Sequence, residues 1–348
     1  MKAFVYVGPG LKAIEERPKP EIQSPGDAIV KMLKTTICDT DLHILKGEVR
    51  SCMPGCILGH EGVGIIESVG AGVTTFSPGD HVLISCISNC GKCFYCQRNM
   101  YSHCTTGGWL LGHKIDGTQA EYVRIPHADT SLYPVPDSEN DKAMVMLSDI
   151  LATGSGCSAL NSKGDQGSTV AIVGCGPVGL AALLTARFYA PADIIVIDHD
   201  DTRLEIARRF GATATVNSAH VNAVETVKAL VGGQGVDTVI EAVGVPATVQ
   251  ISQALAGPDG DITNIGGHAR KVILHLERLW SLNMAITTRL FDSFTTTPLL
   301  RKTDHTRKIV PTGLVTHHFT LDKILDAYDT FEHSAKTRAQ KIIISVYA

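Results

Sequence analysis

The chain has 348 residues, 44% of them hydrophobic and 19% charged, a composition typical of a globular enzyme with room for two domains. Its formal net charge of −4 offers no electrostatic basis for binding nucleic acid, and no apolar run approaches the roughly 20 residues that cross a bilayer. The chain begins with the alternating pattern of a strand and lacks the apolar core of a signal peptide. We therefore expect a cytoplasmic protein that binds neither nucleic acid nor a membrane.

The N-terminal part of the chain is predicted to consist of short strands separated by turns. Strands are expected at Ala3–Val7 and Asp27–Leu33, and Cys38, Thr40 and His43 follow close together. A thiol, a hydroxyl and an imidazole in one short segment are able to bind a metal or to move a proton. Taken alone, Thr40 could equally cap a helix and His43 could lie at the surface.

The segment Ile57-Leu-Gly-His-Glu-Gly-Val-Gly64 places His60 and Glu61 among glycines and apolar residues. A lone histidine in such a turn is usually a buried residue with satisfied hydrogen bonds. Here, however, Cys38 lies upstream and Asp149 lies downstream, in Met-Leu-Ser-Asp-Ile. Cysteine, histidine and a carboxylate are the ligand types of a catalytic zinc site that keeps one position open. These residues are therefore candidate ligands of such a site.

Four cysteines form a second candidate metal site, at Cys90, Cys93, Cys96 and Cys104. Four thiolates at these spacings close a tetrahedral site around zinc, which indicates a structural rather than a catalytic ion. An iron–sulfur cluster is the alternative, but bacterial ferredoxins use shorter final spacing followed by proline, and Thr105 stands here. The remaining cysteines are predicted to be plain thiols: Cys52, Cys56, Cys86, Cys157 and Cys175.

A nucleotide-binding domain is predicted after Thr153-Gly-Ser-Gly, which indicates a domain junction. The apolar run Thr169–Val173 is typical of a buried parallel strand, and Gly174-Cys-Gly176-Pro177-Val178-Gly179 follows it directly. A helix is expected from there to about Tyr189, and the next apolar run ends in Asp198. These features form the dinucleotide fingerprint, in which glycines admit the pyrophosphate and a carboxylate binds the ribose hydroxyls. A tight turn in an unrelated α/β fold is the alternative.

The rest of the chain alternates between helices and strands until its pattern becomes mixed near Asp292. Repeated βα units imply a doubly wound parallel sheet that binds ligands past the carboxyl ends of its strands, where Val243 and Ile265 lie. The predicted elements are helices Ala143–Leu151 (carrying Asp149), Thr202–Phe210, Ala223–Val231, Ala247–Leu255 and Leu321–Phe331, and strands Ile194–Ile197, Val236–Ile240, Ile262–Ile265 and Lys341–Val346.

Together these motifs resemble the zinc-dependent, medium-chain alcohol dehydrogenases over essentially the whole chain. Gly59-His60-Glu61, with Gly64, Gly70 and Val73 after it, has the spacing of the zinc signature of that family, and the four clustered cysteines match its structural zinc lobe. The resemblance implies two zinc ions per subunit, NAD as cofactor and a homotetramer. It also implies a mostly β, GroES-like catalytic domain over 1–152 and 292–348, and a Rossmann domain over 153–291.

The resemblance assigns the catalytic zinc to Cys38, His60 and Asp149, which would hold it as a Lewis acid for the alcohol oxygen. In some members the glutamate that matches Glu61 also coordinates zinc in the resting state.

In the family, the residue that matches Thr40 contacts the substrate oxygen, and the one that matches His43 ends a proton relay. Glycine is common after the first zinc ligand, whereas this chain has Asp39. That carboxylate either perturbs the local field or faces solvent.

The expected substrate is a small secondary alcohol, because a microbial branch that acts on such alcohols has aspartate where this chain has Asp149. Trp109 falls where that branch places a pocket-lining indole. Primary alcohols, polyols, threonine and formaldehyde are the alternatives, as is a nucleotide-binding relative without catalysis. Asp198 predicts NAD rather than NADP, although Arg203 is a nearby cation that could accommodate a 2′-phosphate.

Overall fold

The structure is a computed structural model that describes residues 1–136, 139–155, 166–288, 290, 293–305 and 310–347. The chain forms two compact units, Met1–Asp149 with Asp292–Ala348, and Ile150–Phe291. The first division therefore lies three residues before the boundary expected from the sequence. Cys157 lies outside the described residues, as does the last glycine of the expected junction.

The elements, in chain order, are β1 Lys2–Gly8, β2 Leu11–Glu16, β3 Ala28–Thr36, α1 Asp39–Leu45, β4 Gly62–Val69, β5 His81–Ile84, β6 Tyr122–Ile125, α2 Ala128–Ser131, β7 Leu132–Pro134, α3 Asp141–Ser148, α4 Ile150–Gly154, β8 Thr169–Val173, α5 Pro177–Ala186, β9 Asp193–Asp198, α6 Asp201–Arg209, β10 Ala214–Asn217, α7 Ala223–Leu230, β11 Val236–Glu241, α8 Pro246–Leu255, β12 Ala256–Asn264, α9 Leu276–Leu279, β13 Ala285–Thr288, α10 Ser293–His305, β14 Val315–Thr320, α11 Ile324–Glu332, α12 Ser334–Thr337 and β15 Lys341–Ser345.

The first unit is built on a largely antiparallel sheet with strands in the order β14-β15-β3-β4-β5-β7, while β6 pairs with β3 and β1 pairs with β2. Its last strand pair comes from the end of the chain, because β15 lies antiparallel to β3 and parallel to β14. Side chains from both ends of the sequence fill one core, in which Phe4 stacks on Tyr328. The C-terminal segment thus completes the unit that contains the candidate metal ligands.

The second unit is a parallel sheet with strands in the order β10-β9-β8-β11-β12-β13. Four residues of β8 and five of β9 are buried in succession, as expected for strands covered on both faces. The strand order changes direction around β8, so the glycine-rich turn after β8 lies at the topological switch point, where such sheets bind nucleotides. This is the predicted Rossmann arrangement, and it confirms the expected fold class.

The main difference from prediction concerns the helix expected over Ala143–Leu151. The structure ends α3 at Ser148 and begins α4 at Ile150, and Asp149 between them has φ −143° and ψ −67°. The helix is interrupted there, so Asp149 is not carried within a helix as predicted. The strands β2, β4, β5, β7, β10, β13 and β14 and the helices α1 and α10 are among the elements that were not predicted. Within the described part of the chain, no helix has the length and apolar character that crossing a membrane requires.

Candidate active site and nucleotide-binding turn

Cys38, His60, Glu61 and Asp149 come together in the first unit, although they are far apart in the sequence. Each offers one ligand atom, and these four atoms lie within 4.8 Å of one another. His60 Nε2 is 3.2 Å from Asp149 Oδ2. A thiol, an imidazole and two carboxylates around one point match the donor set of a catalytic zinc site.

Glu61 is held in this group by Lys341, and both side chains are almost fully buried. Lys341 Nζ donates to Glu61 Oε1 at 2.6 Å and to the backbone carbonyl of Ile37 at 3.1 Å. Burial raises the pKa of the Glu61 carboxyl to about 7, although Lys341 acts in the opposite direction. Among the described residues, the second oxygen, Glu61 Oε2, has no hydrogen-bond partner. A buried oxygen of this kind fits a cation.

The local sequence explains why Cys38 faces this point. Cys38 is the N-cap of α1, and its backbone N–H donates to Asp41 Oδ2 at 2.9 Å. Gln119 Nε2 donates to the same oxygen at 3.2 Å, and Asp41 Oδ1 lies 3.8 Å from His60 Nδ1. Asp41 thus caps the helix and lies near the imidazole, but 3.8 Å is too long for a hydrogen bond, and neither of these two atoms has a hydrogen-bond partner among the described residues.

The predicted relay residues both lie on α1. Thr40 Oγ1 is 3.7 Å from Cys38 Sγ, so its hydroxyl lies beside a candidate ligand. His43 lies one turn later, is 41% exposed and pairs with Glu48. The helix therefore carries a hydroxyl at the candidate metal site and an imidazole at the solvent. Asp39 was expected either to perturb the local field or to face solvent. It is exposed in the structure, so its carboxylate faces solvent.

Trp109 lies against His60. The two ring centroids are 6.5 Å apart at an interplanar angle of 76°, an edge-to-face arrangement. The indole is partly buried against the core of the first unit. Trp109 therefore lies beside the candidate ligands, where the sequence analysis expected a pocket wall.

The four clustered cysteines converge on a second point, with their sulfur atoms within 4.8 Å of one another. Cys93 Sγ is 3.5 Å from Cys96 Sγ and 4.0 Å from Cys104 Sγ, and Cys90 Sγ is 4.0 Å from Cys96 Sγ. Tetrahedral zinc with Zn–S bonds of about 2.3 Å requires sulfur atoms about 3.8 Å apart. Backbone N–H groups of Cys96 and Thr105 lower the pKa of the Cys93 thiol to about 5, which favours the thiolate that zinc binds. The residues fit a structural zinc ion.

The glycine-rich turn of the second unit has the close backbone packing that its sequence predicted. Gly174 has φ +101°, and a Cβ at Gly179 would lie 1.9 Å from the Gly174 carbonyl oxygen. Gly176 is the N-cap of α5 and Pro177, which has no N–H, is its first residue, so the backbone N–H groups that could bind a phosphate begin with Val178. The turn fits the pyrophosphate of a dinucleotide.

Asp198 ends β9 and lies beside this turn. Its carboxylate accepts hydrogen bonds from the N–H groups of Cys175 and His199 at 2.7 Å and of Asp200 at 3.0 Å. A carboxylate has about four acceptor positions, so one is left for a further donor. The guanidinium of Arg203 approaches Gly176.

Val243 and Ile265 lie just past the carboxyl ends of β11 and β12, as expected. Val243 is 42% exposed, and its side chain packs against Gly174 in the turn. Ile265 is partly buried, and its N–H donates to the Glu241 carbonyl at 2.8 Å. Both are thus at the sheet edge that carries the glycine-rich turn.

Comparison with known proteins decides the family. The alcohol dehydrogenase GroES-like domain family matches residues 24–137, and the zinc-binding dehydrogenase family matches residues 177–302. An alcohol dehydrogenase of Cupriavidus necator is 37% identical, over 95% of this chain and 95% of that protein. The chain belongs to the zinc-dependent, medium-chain alcohol dehydrogenases. It is an alcohol oxidoreductase of this family.

Two solved structures show how far the likeness to other dehydrogenases extends. The apo form of zinc dependent alcohol dehydrogenase 2 from Streptococcus pneumonia is 50% identical, with a TM-score of 0.95 over 99% of this chain and 98% of that one. A protein from Sinorhizobium meliloti 1021 that is bound to NADP is 27% identical, with a TM-score of 0.87 over 99% of this chain and 98% of that one.

Two residues of this dehydrogenase site were missed by the sequence analysis. Asp41 had a signal, because an acidic residue three positions after Cys38 is the acid of a helix capping box. Lys341 had none, since it stands 280 residues from Glu61, at the start of an apolar strand.

Proposed function

We propose that this dehydrogenase interconverts a small secondary alcohol and its ketone, with NAD as hydride acceptor. The observation that carries the proposal is the Asp149 carboxylate 3.2 Å from His60 Nε2. Many family members that act on primary alcohols have a second cysteine in this role, whereas the secondary-alcohol branch resembles this chain in having aspartate. The indole of Trp109 beside His60 supports the same substrate class.

The ligand set defines what each residue contributes. Cys38, His60 and Asp149 would hold zinc, with Glu61 as a fourth donor, and zinc bound there supplies a Lewis acid that lowers the pKa of a hydroxyl group. The Thr40 hydroxyl, beside Cys38, would take the proton of the substrate hydroxyl while releasing its own proton to the next group of the relay.

His43 would be the last group of this relay, reached from Thr40 through the nicotinamide ribose, and would release the proton to solvent because its ring is partly exposed and pairs with Glu48. The N-cap residue of α1, Cys38, would thus help to hold the zinc, and Thr40 and His43 on the same helix would remove the proton of the alcohol. Bound NAD would accept the hydride.

An apolar indole beside the ligands favours alkyl groups over polar substrates. A polyol or threonine placed against Trp109 would bury hydroxyl or charged groups without partners, which costs about 1–3 kcal/mol for each neutral group. A methylene changes binding in an apolar pocket by only about 1–3 kcal/mol, so primary alcohols should react more slowly rather than not at all.

The test compares kcat/KM for 2-butanol, 1-butanol, sorbitol and threonine with purified, zinc-loaded enzyme under one set of conditions. We expect 2-butanol to lead. Trp109→Ala should narrow the preference for the butanols over the polar substrates, whereas Trp280→Ala, a change at an indole that is 75% exposed in the second unit, should leave it unchanged. A lead for 1-butanol would favour a primary-alcohol enzyme, and a lead for sorbitol or threonine would reject the proposed substrate class.

The preference for NAD rests on Asp198. One acceptor position remains on its carboxylate for a ribose hydroxyl, and its charge would repel a 2′-phosphate, although Arg203 offsets part of this repulsion. The ratio of kcat/KM with NAD to that with NADP should exceed one and should fall in Asp198→Asn. Asp193→Asn, at the exposed other end of β9, is the control. A higher kcat/KM with NADP in the parent enzyme would reject the assignment.

The proposal also includes a homotetramer in the cytoplasm, where thiols stay reduced, with two zinc ions per subunit. Four chains of 37.1 kDa give 4 × 37.1 = 148.4 kDa, which light scattering measures directly. A mass near that of one chain would contradict the tetramer.

A further inference from the structure

The imidazole of His113 covers one face of Trp109. The ring centroids are 4.1 Å apart and the planes meet at 27°, which is a stacked arrangement. Trp109 in turn meets His60 edge-to-face. The indole is therefore enclosed between a candidate zinc ligand and a second histidine, and the position of His113 decides where the indole can lie.

His113 is itself held at both ring nitrogens. Nδ1 lies 3.1 Å from the backbone carbonyl of Trp109, and Nε2 lies 2.6 Å from Ser51 Oγ. A carbonyl oxygen only accepts, so Nδ1 carries the proton and, in the neutral ring, Nε2 accepts from the Ser51 hydroxyl. Burial lowers the pKa of His113 below that of a free histidine, which favours the neutral form. Two hydrogen bonds from different segments thus fix the plane of the ring.

His113 also lines an open groove of about 410 Å³, together with Ser51, Cys56 and Asp116. His113 is only 7% exposed and stacks on Trp109, which is itself not among the residues that line the groove. A shorter side chain at position 113 would let solvent from the groove reach Trp109.

We propose that His113 is a positioning residue, which fixes the Trp109 indole beside His60 and thereby sets the size of the substrate that the site admits. The proposal rests on the proposed function, because that function makes Trp109 a wall of the substrate pocket. His113 has no contact with the reacting atoms in this role and acts through Trp109 alone.

The test uses the full-length, zinc-loaded enzyme in a Trp280→Phe background. The chain has two tryptophans, so this change leaves Trp109 as the only indole. His113→Ala removes the ring, His113→Leu keeps much of its volume without a π-face, and His113→Phe restores a flat ring. His220→Ala, at a histidine whose side chain is 68% exposed in the second unit, is the control.

The first readout is the environment of Trp109, measured by acrylamide quenching and the near-ultraviolet circular dichroism of the indole. In the alanine and leucine variants the quenching constant should rise roughly twofold or more, and the indole dichroism should weaken. The reason is that loss of an aromatic pair shifts the equilibrium between the packed and the exposed indole by about twofold to tenfold. The second readout is the ratio of kcat/KM for 4-heptanol to that for 2-butanol, which should rise in the same variants. The phenylalanine variant should return both readouts towards the parent.

Unchanged quenching and an unchanged ratio in the alanine and leucine variants would overturn the proposal. So would a phenylalanine variant no closer to the parent than the alanine variant. If the alanine variant does not fold, the leucine and phenylalanine variants carry the same comparison. Failure of the proposed function appears instead in the parent enzyme, as a preference for a substrate other than 2-butanol, and leaves the quenching measurement valid.

Discussion

The buried pair of Lys341 and Glu61 makes a quantitative prediction about stability. Both side chains are 1% exposed, and Lys341 Nζ lies 2.6 Å from Glu61 Oε1. Lys341→Met keeps the length and the apolar part of the side chain but removes the cation. The Glu61 carboxylate then loses its partner in a buried position, as does the Ile37 carbonyl that Lys341 contacts. Removing one member of a buried pair costs about 3–5 kcal/mol of the free energy of unfolding.

The assay is urea unfolding followed by Trp109 fluorescence in the Trp280→Phe background, which reports on the first unit. With a slope of about 3 kcal/mol per molar urea, the loss should lower the midpoint by roughly 1–1.7 M. Zinc bound beside Glu61 would neutralise part of its charge, so the zinc-loaded enzyme should show the smaller shift.

Two further variants separate charge from packing. Glu61→Gln combined with Lys341→Met removes both charges and should regain most of the lost stability. Lys2→Met breaks an exposed pair with Asp322 and should leave the midpoint unchanged within error. A Lys341→Met midpoint equal to that of the parent would refute this reasoning, as would a double variant less stable than the single one.

Three other outcomes follow from the site. Elemental analysis should find two zinc ions per chain. Cys93→Ser should lose one of them and have a lower melting temperature, while the control Cys56→Ser should keep both. A single zinc ion in the parent enzyme would contradict this prediction. Gly179→Ala should raise the Kd for NADH at least about tenfold without changing the zinc content, because the added Cβ would lie 1.9 Å from the Gly174 carbonyl oxygen. Equal affinities of the variant and the parent for NADH would argue against binding at this turn. Thr40→Ala should lower kcat at every pH, roughly 100-fold or more, and Thr40→Ser should restore most of it; an unchanged rate would remove this hydroxyl from the proton path.

Apart from the ligand set of Cys38, His60 and Asp149, which the family resemblance supplied, the features that could be predicted from the sequence are those whose residues lie close together in it. The turn Gly174–Gly179 stands between a strand and a helix, so its conformation follows from neighbouring residues. The cysteines from Cys90 to Cys104 converge within one loop for the same reason. The order of βα elements also determined the parallel sheet, because a helix between two strands returns the chain to the edge of the sheet where the first strand began.

The helix expected through Asp149 shows where periodicity was insufficient. Apolar residues continue on both sides of this position, and nothing in their pattern indicates a break. The structure breaks the helix where the carboxylate meets His60. An interaction with a residue 89 positions away therefore overrides the local preference.

By itself, the sequence determined the fold class, the four-cysteine motif and the nucleotide turn, whose chemistry resides in short segments, and it indicated the separated candidate ligands Cys38, His60 and Asp149 through the family resemblance. Only the tertiary structure decided which side chains support these groups. Lys341 reaches Glu61 because β15 pairs with β3, and His113 stacks on Trp109 because Ser51 from another segment holds its ring. Such contacts depend on the pairing of distant strands and loops, and the free energy that selects them comes from the packing of the whole unit rather than from any local pattern.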